Sequence, residues 1–107
     1  MQLVEDRYNI FCVMELLAKP LTRLVTGRNR VNEDKARYIV RQICLAINFI
    51  HSRGIAHRDL KPDNVMIDDE THDLKLIDFG FAGPIERDGK LHSETHKGTA
   101  YYMAPEI

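Results

Sequence analysis

At 107 residues, 44% hydrophobic and 29% charged, the chain has the size and composition of one globular domain and leaves no room for two independent cores. A formal net charge of -1 gives no electrostatic ground for a nucleic-acid or anionic-membrane partner. No apolar run approaches the ~18 residues of a membrane span, and Met1 to Met14 lacks the layout of a signal peptide, so the expected compartment is cytoplasmic or nuclear.

In chain order, "IFCVM" (Ile10 to Met14) reads as the second strand of a hairpin whose first strand lies near Gln2 to Val4, with "EDRYN" as the turn. A short helix is expected around Leu21 to Thr26, stopped by Gly27. Asn32 then caps a long helix with Glu33 and Asp34 in its first turn, where acids complement the dipole. Ala36, Ile39, Val40, Ile43, Ile47 and Ile50 recur at three- and four-residue spacing, and Gly54 supplies the stop. The basic bias of Lys19 to Arg41 reads as a solvated helix face, because its charges interleave with core positions. Cys12 and Cys44 sit in apolar strings without a C-x-x-C or Cys/His cluster, and read as buried, reduced small hydrophobes.

Past Gly54 the apolar period becomes strand-like. Val65 to Ile67 and Leu74 to Ile77 flank the acidic turn "DDETHD" and predict a small antiparallel hairpin. From Phe79 to Met103 no period is sustained, and a connection that long is usually functional.

Between the long helix and that hairpin lies "HRDLKPDN", His57 to Asn64, where Pro62 prevents continuation of the helix. "DFG", Asp78 to Gly80, stands at the far end of the hairpin. If the strands pair, Asn64 and Asp78 meet at one cavity, and an amide oxygen with a carboxylate suits a hard cation such as Mg²⁺. Asp59 and Lys61 would then lie beside a metal-bound phosphate.

These residues, together with "APE" at Ala104 to Glu106, resemble the central part of a eukaryotic-type serine/threonine protein kinase domain. Each motif alone is a weak signal, but three in the family's order on the expected loop, strand end and loop exit are a strong one. The resemblance implies an α+β, protein-kinase-like fold, with residues 1–14 ending the small lobe, 15–20 forming the hinge and 21–107 beginning the large lobe. It further implies ATP and Mg²⁺ as cofactors and a protein substrate with a serine or threonine acceptor. Asp59 would orient the acceptor hydroxyl and take its proton, Lys61 would stabilise the transferring phosphoryl group, and Asn64 and Asp78 would hold the metal. His57 and Phe79 resemble an internal packing stack.

"VMELLA" resembles the strand and hinge that carry adenine: Met14 as gatekeeper, the backbones of Glu15 and Leu17 as hydrogen-bonding groups, and Met66 under the base. Leu21 stands where many family members place an acid for the ribose. Lys61 and "GT" (Gly98, Thr99) point to the serine/threonine branch, while "DFGFA" and "GTAYYMAPE" look most like calcium/calmodulin-dependent and calcium-dependent kinases. Asp63 faintly suggests basic residues upstream of the target hydroxyl. By family position Thr95, nine residues before Ala104, is the expected phosphorylation site of an upstream activating kinase. Arg58, without another evident partner, would pair with its phosphate, whereas Thr99 would hydrogen-bond within the catalytic loop.

The chain begins in what resembles the fourth strand of the small lobe and ends just after "APE". The Gly-rich loop, the small-lobe lysine and the later large-lobe helices therefore lie outside the resemblance. The expectation is a kinase segment inactive in isolation, with part of the long helix's apolar stripe exposed. The alternative is a non-catalytic binding module, favoured by Met1 as a start and opposed by the intact set Asp59, Lys61, Asn64 and Asp78.

Overall fold

The computed structural model describes residues 2–26, 31–85 and 97–105. Strands β1 (Gln2–Glu5) and β2 (Ile10–Val13) pair antiparallel, Gln2 opposite Val13 and Glu5 opposite Ile10. Asp6 makes the turn: its Oδ1 accepts from the backbone N–H of Tyr8 and of Asn9, each at 2.7 Å. The Tyr8 N–H bond, followed by those from Asn9, holds this carboxyl below the usual carboxylate range.

Strand β3 (Lys19–Pro20) leads straight into helix α1 (Leu21–Val25), which closes with Thr26 N–H and Oγ1 both on Thr22 O. The expected stop at Gly27 lies outside the described residues. Helix α2 (Glu33–His51) starts as expected, with Asn32 Oδ1 accepting from Lys35 N–H at 2.8 Å. Its first turn carries Arg37 pairs with Glu33 and Asp34, all solvent-exposed and so weak contributors. After the helix, Gly54 adopts φ +70° and donates to His51 O, the left-handed turn that glycine takes without a Cβ penalty.

Strand β4 (Ile55–Ala56) follows, then the hairpin of β5 (Val65–Ile67) and β6 (Leu74–Leu76), and finally β7 (Gly83–Pro84). Strands β3, β5 and β6 form one sheet in that order, and β4 pairs with β7 in another. Pro20 is accommodated because β3 is an edge strand. The expected hairpin is thus present with Val65 opposite Leu76, while β3, β4 and β7, two residues each, carry too little pattern to be read from sequence.

The core lies where α1 and α2 meet the hairpin: Leu21, Ile39, Val65 and Ile67 are buried, ringed by Leu24, Val31, Ile43, Leu74 and Leu76. Burying each large aliphatic side chain contributes about 1.5–3 kcal/mol. Gln42, on the flank of α2, bonds β6 through both ends of its amide: Nε2 to His72 O at 2.9 Å and Oε1 from Leu74 N–H at 3.2 Å.

Three expectations are corrected. Cys12 and Cys44 are free but exposed, not buried. Every residue of the β1–β2 hairpin strands is exposed among the described residues, and Cys44 falls about 140° around α2 from Ile39 at 100° per residue. Val40, about 100° from Ile39, is likewise exposed. With Leu45 and Phe49 also more than half exposed, the apolar stripe of α2 is wider than the surface that covers it.

Ile67, 2% exposed at the turn end of the hairpin, sets the scale of this packing. Ile67→Ala is expected to lower the unfolding free energy by about 2–5 kcal/mol in denaturant titration, and Leu16→Ala, at a fully exposed position, by less than about 0.5 kcal/mol.

Candidate active site

The loop between β4 and β5 is shaped by two local constraints. Arg58 takes φ +64°, which turns the chain back after His57, and Pro62 opens a single 3₁₀ turn, Pro62–Asn64. Pro62 therefore does more than break a helix, the role expected of it. Its fixed φ starts the turn that delivers Asn64 to the mouth of β5.

His57 is 4% exposed and anchors the loop from beneath. Its Nε2 meets Ile77 O at 3.0 Å, its Nδ1 accepts from Asp59 N–H at 3.3 Å, and its ring lies 4.8 Å from that of Phe79. A carbonyl can only accept and a backbone N–H only donate, so the ring proton sits on Nε2. The packing stack expected of His57 and Phe79 is present.

Asp59, 6% exposed, is the hub. Its Oδ1 accepts from Thr99 N–H at 2.9 Å and Thr99 Oγ1 at 2.7 Å; its Oδ2 accepts from Asn64 Nδ2 at 3.0 Å and faces Lys61 Nζ at 2.8 Å. Lys61 Nζ also donates to Thr99 Oγ1 at 2.6 Å. The Lys61 hydrogen bond, then those of Thr99, hold the Asp59 carboxyl at about 2 against burial that pushes it up. Lys61 is raised in turn, first by Asp59, with Asp63 and Asp78 adding attraction.

Asn64 is 5% exposed, and its Nδ2 is committed to Asp59 O at 2.9 Å and Asp59 Oδ2. Its Oδ1 takes no hydrogen bond from the described residues. Asp78 follows Ile77, whose N–H donates to Asn64 O at 3.0 Å, and it adopts φ +61°. Its Oδ1 accepts from Gly80 N–H at 3.2 Å. The open end of the hairpin therefore brings Asn64 and Asp78 to the same edge, each with an oxygen left over. One amide and one carboxylate oxygen fit a Mg²⁺ ion that keeps water and phosphate ligands. Among the described residues no cluster of three or more His, Cys, Asp or Glu side chains offers a fuller cage.

Toward the hinge, a cavity of about 260 Å³ opens between residues 15–18 and the hairpin, lined in part by Glu15, Leu17 and Met66. Ion pairs Glu15–Lys75 and Lys19–Asp69 tie this segment to the hairpin. Neither Glu15 C=O nor Leu17 N–H has a backbone partner among the described residues. Met14 is exposed and does not line the cavity, nor do Asn64 and Asp78. Leu21 is buried in the core and presents nothing to a ribose.

Arg58 has a partner the sequence did not suggest: its Nε donates to Phe81 O at 2.7 Å. Its guanidinium lies over Gly83, where a Cβ would come within 1.8 Å of Nη2, so position 83 must be glycine for Arg58 to lie there. Thr95 and Ser93 lie outside the described residues. Thr99 bonds Asp59 and Lys61 as the resemblance implied.

A sequence model of the protein kinase domain matches residues 1–107. The chain is 43% identical to CBL-interacting protein kinase 20 of Oryza sativa subsp. japonica, over 99% of the chain and 24% of that protein. It is 42% identical to CDPK-related kinase 3 of Arabidopsis thaliana, over 96% of the chain and 18% of that protein. Against calcium/calmodulin-dependent serine/threonine-protein kinase 1 of Oryza sativa subsp. japonica the identity is 37%, over 96% and 18%. The chain thus spans a quarter or less of the length of these curated relatives. It belongs to the protein kinase domain family, on the serine/threonine side, and its mixed helix and sheet form part of that fold.

Because the folded state binds the Asp59 proton more weakly than the unfolded chain, the contribution of Asp59 to stability is complete above its ordinary value of 3.8 and is lost as pH falls toward 2. The stability difference between wild type and Asp59→Asn, followed by chemical denaturation, is expected to be flat from about pH 8 to 5 and to shrink between about 4 and 2. A difference that changes instead around neutrality would contradict the assignment.

Proposed function

We propose that these residues carry the phosphoryl-transfer step of a serine/threonine protein kinase, moving the terminal phosphoryl group of ATP to a hydroxyl of a protein substrate. The observation that supports it best is the Asp59 hub: a buried carboxylate fixed by Thr99 and Asn64, with the Lys61 ammonium on one of its oxygens. Asp59 orients the acceptor hydroxyl and takes its proton. Held ionised by Lys61 and Thr99, the carboxylate is placed to accept a hydrogen bond from that hydroxyl. Lys61, kept charged by Asp59, neutralises charge on the transferring group. Catalysis of this kind depends on positioning and electrostatics more than on base strength.

Asn64 Oδ1 and Asp78 are the groups that would hold Mg²⁺, which would supply positive charge to offset that of the phosphates. The Glu15 C=O and Leu17 N–H are the hinge groups for adenine, Met66 lies beneath the base, and Met14 is the gatekeeper. Thr95 and Arg58 belong to the same reading as a regulatory pair: a phosphate on Thr95 would order its segment through charge-assisted hydrogen bonds to Arg58.

The test is transfer from ATP to serine- and threonine-containing peptides by the full-length protein that carries these residues. Asp59→Asn is expected to lower kcat by about 100-fold or more without loss of folding, and Asp78→Asn to remove Mg²⁺-dependent transfer. Near-normal turnover in either variant would overturn the corresponding role. Thr95→Ala is expected to abolish activation by an upstream kinase, and full activation of that variant would refute the regulatory assignment.

A further inference from the structure

We propose that Gln42 is a positioning residue for phosphoryl transfer: its amide locks the closed end of the β5–β6 hairpin to helix α2, so that the open end keeps Asn64 and Asp78 in register with the Asp59 loop. The proposal rests on the kinase reading above.

Strand β6 lies at the edge of its sheet, so among the described residues its outward backbone groups have no strand to pair with. Gln42 supplies one peptide unit's worth of pairing, donating to His72 O and accepting from Leu74 N–H. Because one group only accepts and the other only donates, the amide fits a single orientation. It also fits a single local register. A one-residue slip would turn the carbonyl and N–H at these heights inward and move Leu74 and Leu76 out of the core.

The hairpin has need of such a lock. Its ladder is three residue pairs long, and its turn places His72, a non-glycine residue, at φ +60°. Asp68 shapes the turn by accepting from the N–H of Glu70 and of Thr71, each at 2.9 Å, and among the described residues Gln42 is the side chain that hydrogen-bonds it to the helix, beside the apolar contacts of Leu74 and Leu76 with Ile39 and Ile43. Along β6 the lock leads directly to the site. Ile77, three residues beyond Leu74, donates to Asn64 O and accepts from His57, and Asp78 follows, about 13 Å from the clamp at 3.3 Å per residue. Helix α2 runs the other way, through Gly54 and β4, into His57 and Asp59. Gln42 thus braces the hairpin against the same helix that launches the Asp59 loop.

The test compares wild type with Gln42→Met, which keeps length and loses both bonds, and Gln42→Glu, which keeps the acceptor for Leu74 but sets a carboxylate oxygen against His72 O. In the full-length protein without nucleotide, amide hydrogen exchange at Ile77 is expected to rise at least tenfold in both variants, and at Leu74 in Gln42→Met, with Ile43 and Ile47 of α2 unchanged. The kcat for peptide phosphorylation should fall about tenfold and the Mg²⁺ concentration for half-activation should rise, while KM for peptide stays within twofold. Unchanged exchange at Ile77, a rise shared equally by Ile43 and Ile47, or normal kcat despite raised Ile77 exchange would each overturn the proposal. A wild type with no transferase activity would instead defeat the kinase reading, and exchange at Ile77 would still decide whether Gln42 holds the open end.

Discussion

A single buried carboxylate organises this molecule's chemistry. Asp59 binds Thr99, forty positions further along the chain, through both the backbone and the side chain, and binds Asn64 and Lys61 through its other oxygen. A charge this far from water is tolerable only because every neighbour donates to it. The same donors that make burial affordable keep it ionised and oriented. Stability and the geometry of the candidate site are here one arrangement: the loop at 57–64 and the segment at 97–99 meet because Asp59 requires donors from both.

Around that hub the fold acts as a set of short levers anchored on α2. The helix buries Ile39 and Ile50 and leads through Gly54 into β4, while the hairpin packs against it and is clasped by Gln42. His57 joins the two branches, with Asp59 N–H on one ring nitrogen and Ile77 O on the other. Two residues at the hairpin's open end and two on the loop are thereby fixed relative to one another, although none of the strands among the described residues exceeds four residues. Arg58 extends the bracing outward, its guanidinium laid on Gly83 and its Nε on Phe81 O.

Long elements and family motifs were legible in the sequence. The α2 period, its Asn32 cap and the β5–β6 hairpin follow from apolar spacing, and "HRDLKPDN" with "DFG" gave the loop and strand end on which the site is built. What escaped reading has physical reasons. Two-residue strands such as β4 and β7 are defined by their partners and carry no period of their own. Cys44 and Val40 lie in an apolar string but more than a quarter-turn from Ile39, and only the placement of neighbouring elements decides how wide a helix face is covered. The partner of Arg58 is a backbone carbonyl, which no side-chain pattern announces. Gln42 left one faint trace: a polar residue on the flank of a core-facing row, where an amide must find backbone partners.

If Asp59 organises the site, Asp59 and Thr99 act as one unit. The direct measurement is a double-mutant cycle, with the unfolding free energy determined for wild type, Asp59→Asn, Thr99→Val and the double variant. Residues in one hydrogen-bonded network couple, and the double variant is expected to lose less than the sum of the single losses by clearly more than the ~0.5 kcal/mol scatter of independent sites. Losses that add within that scatter would contradict the claim that Thr99 holds Asp59 in place.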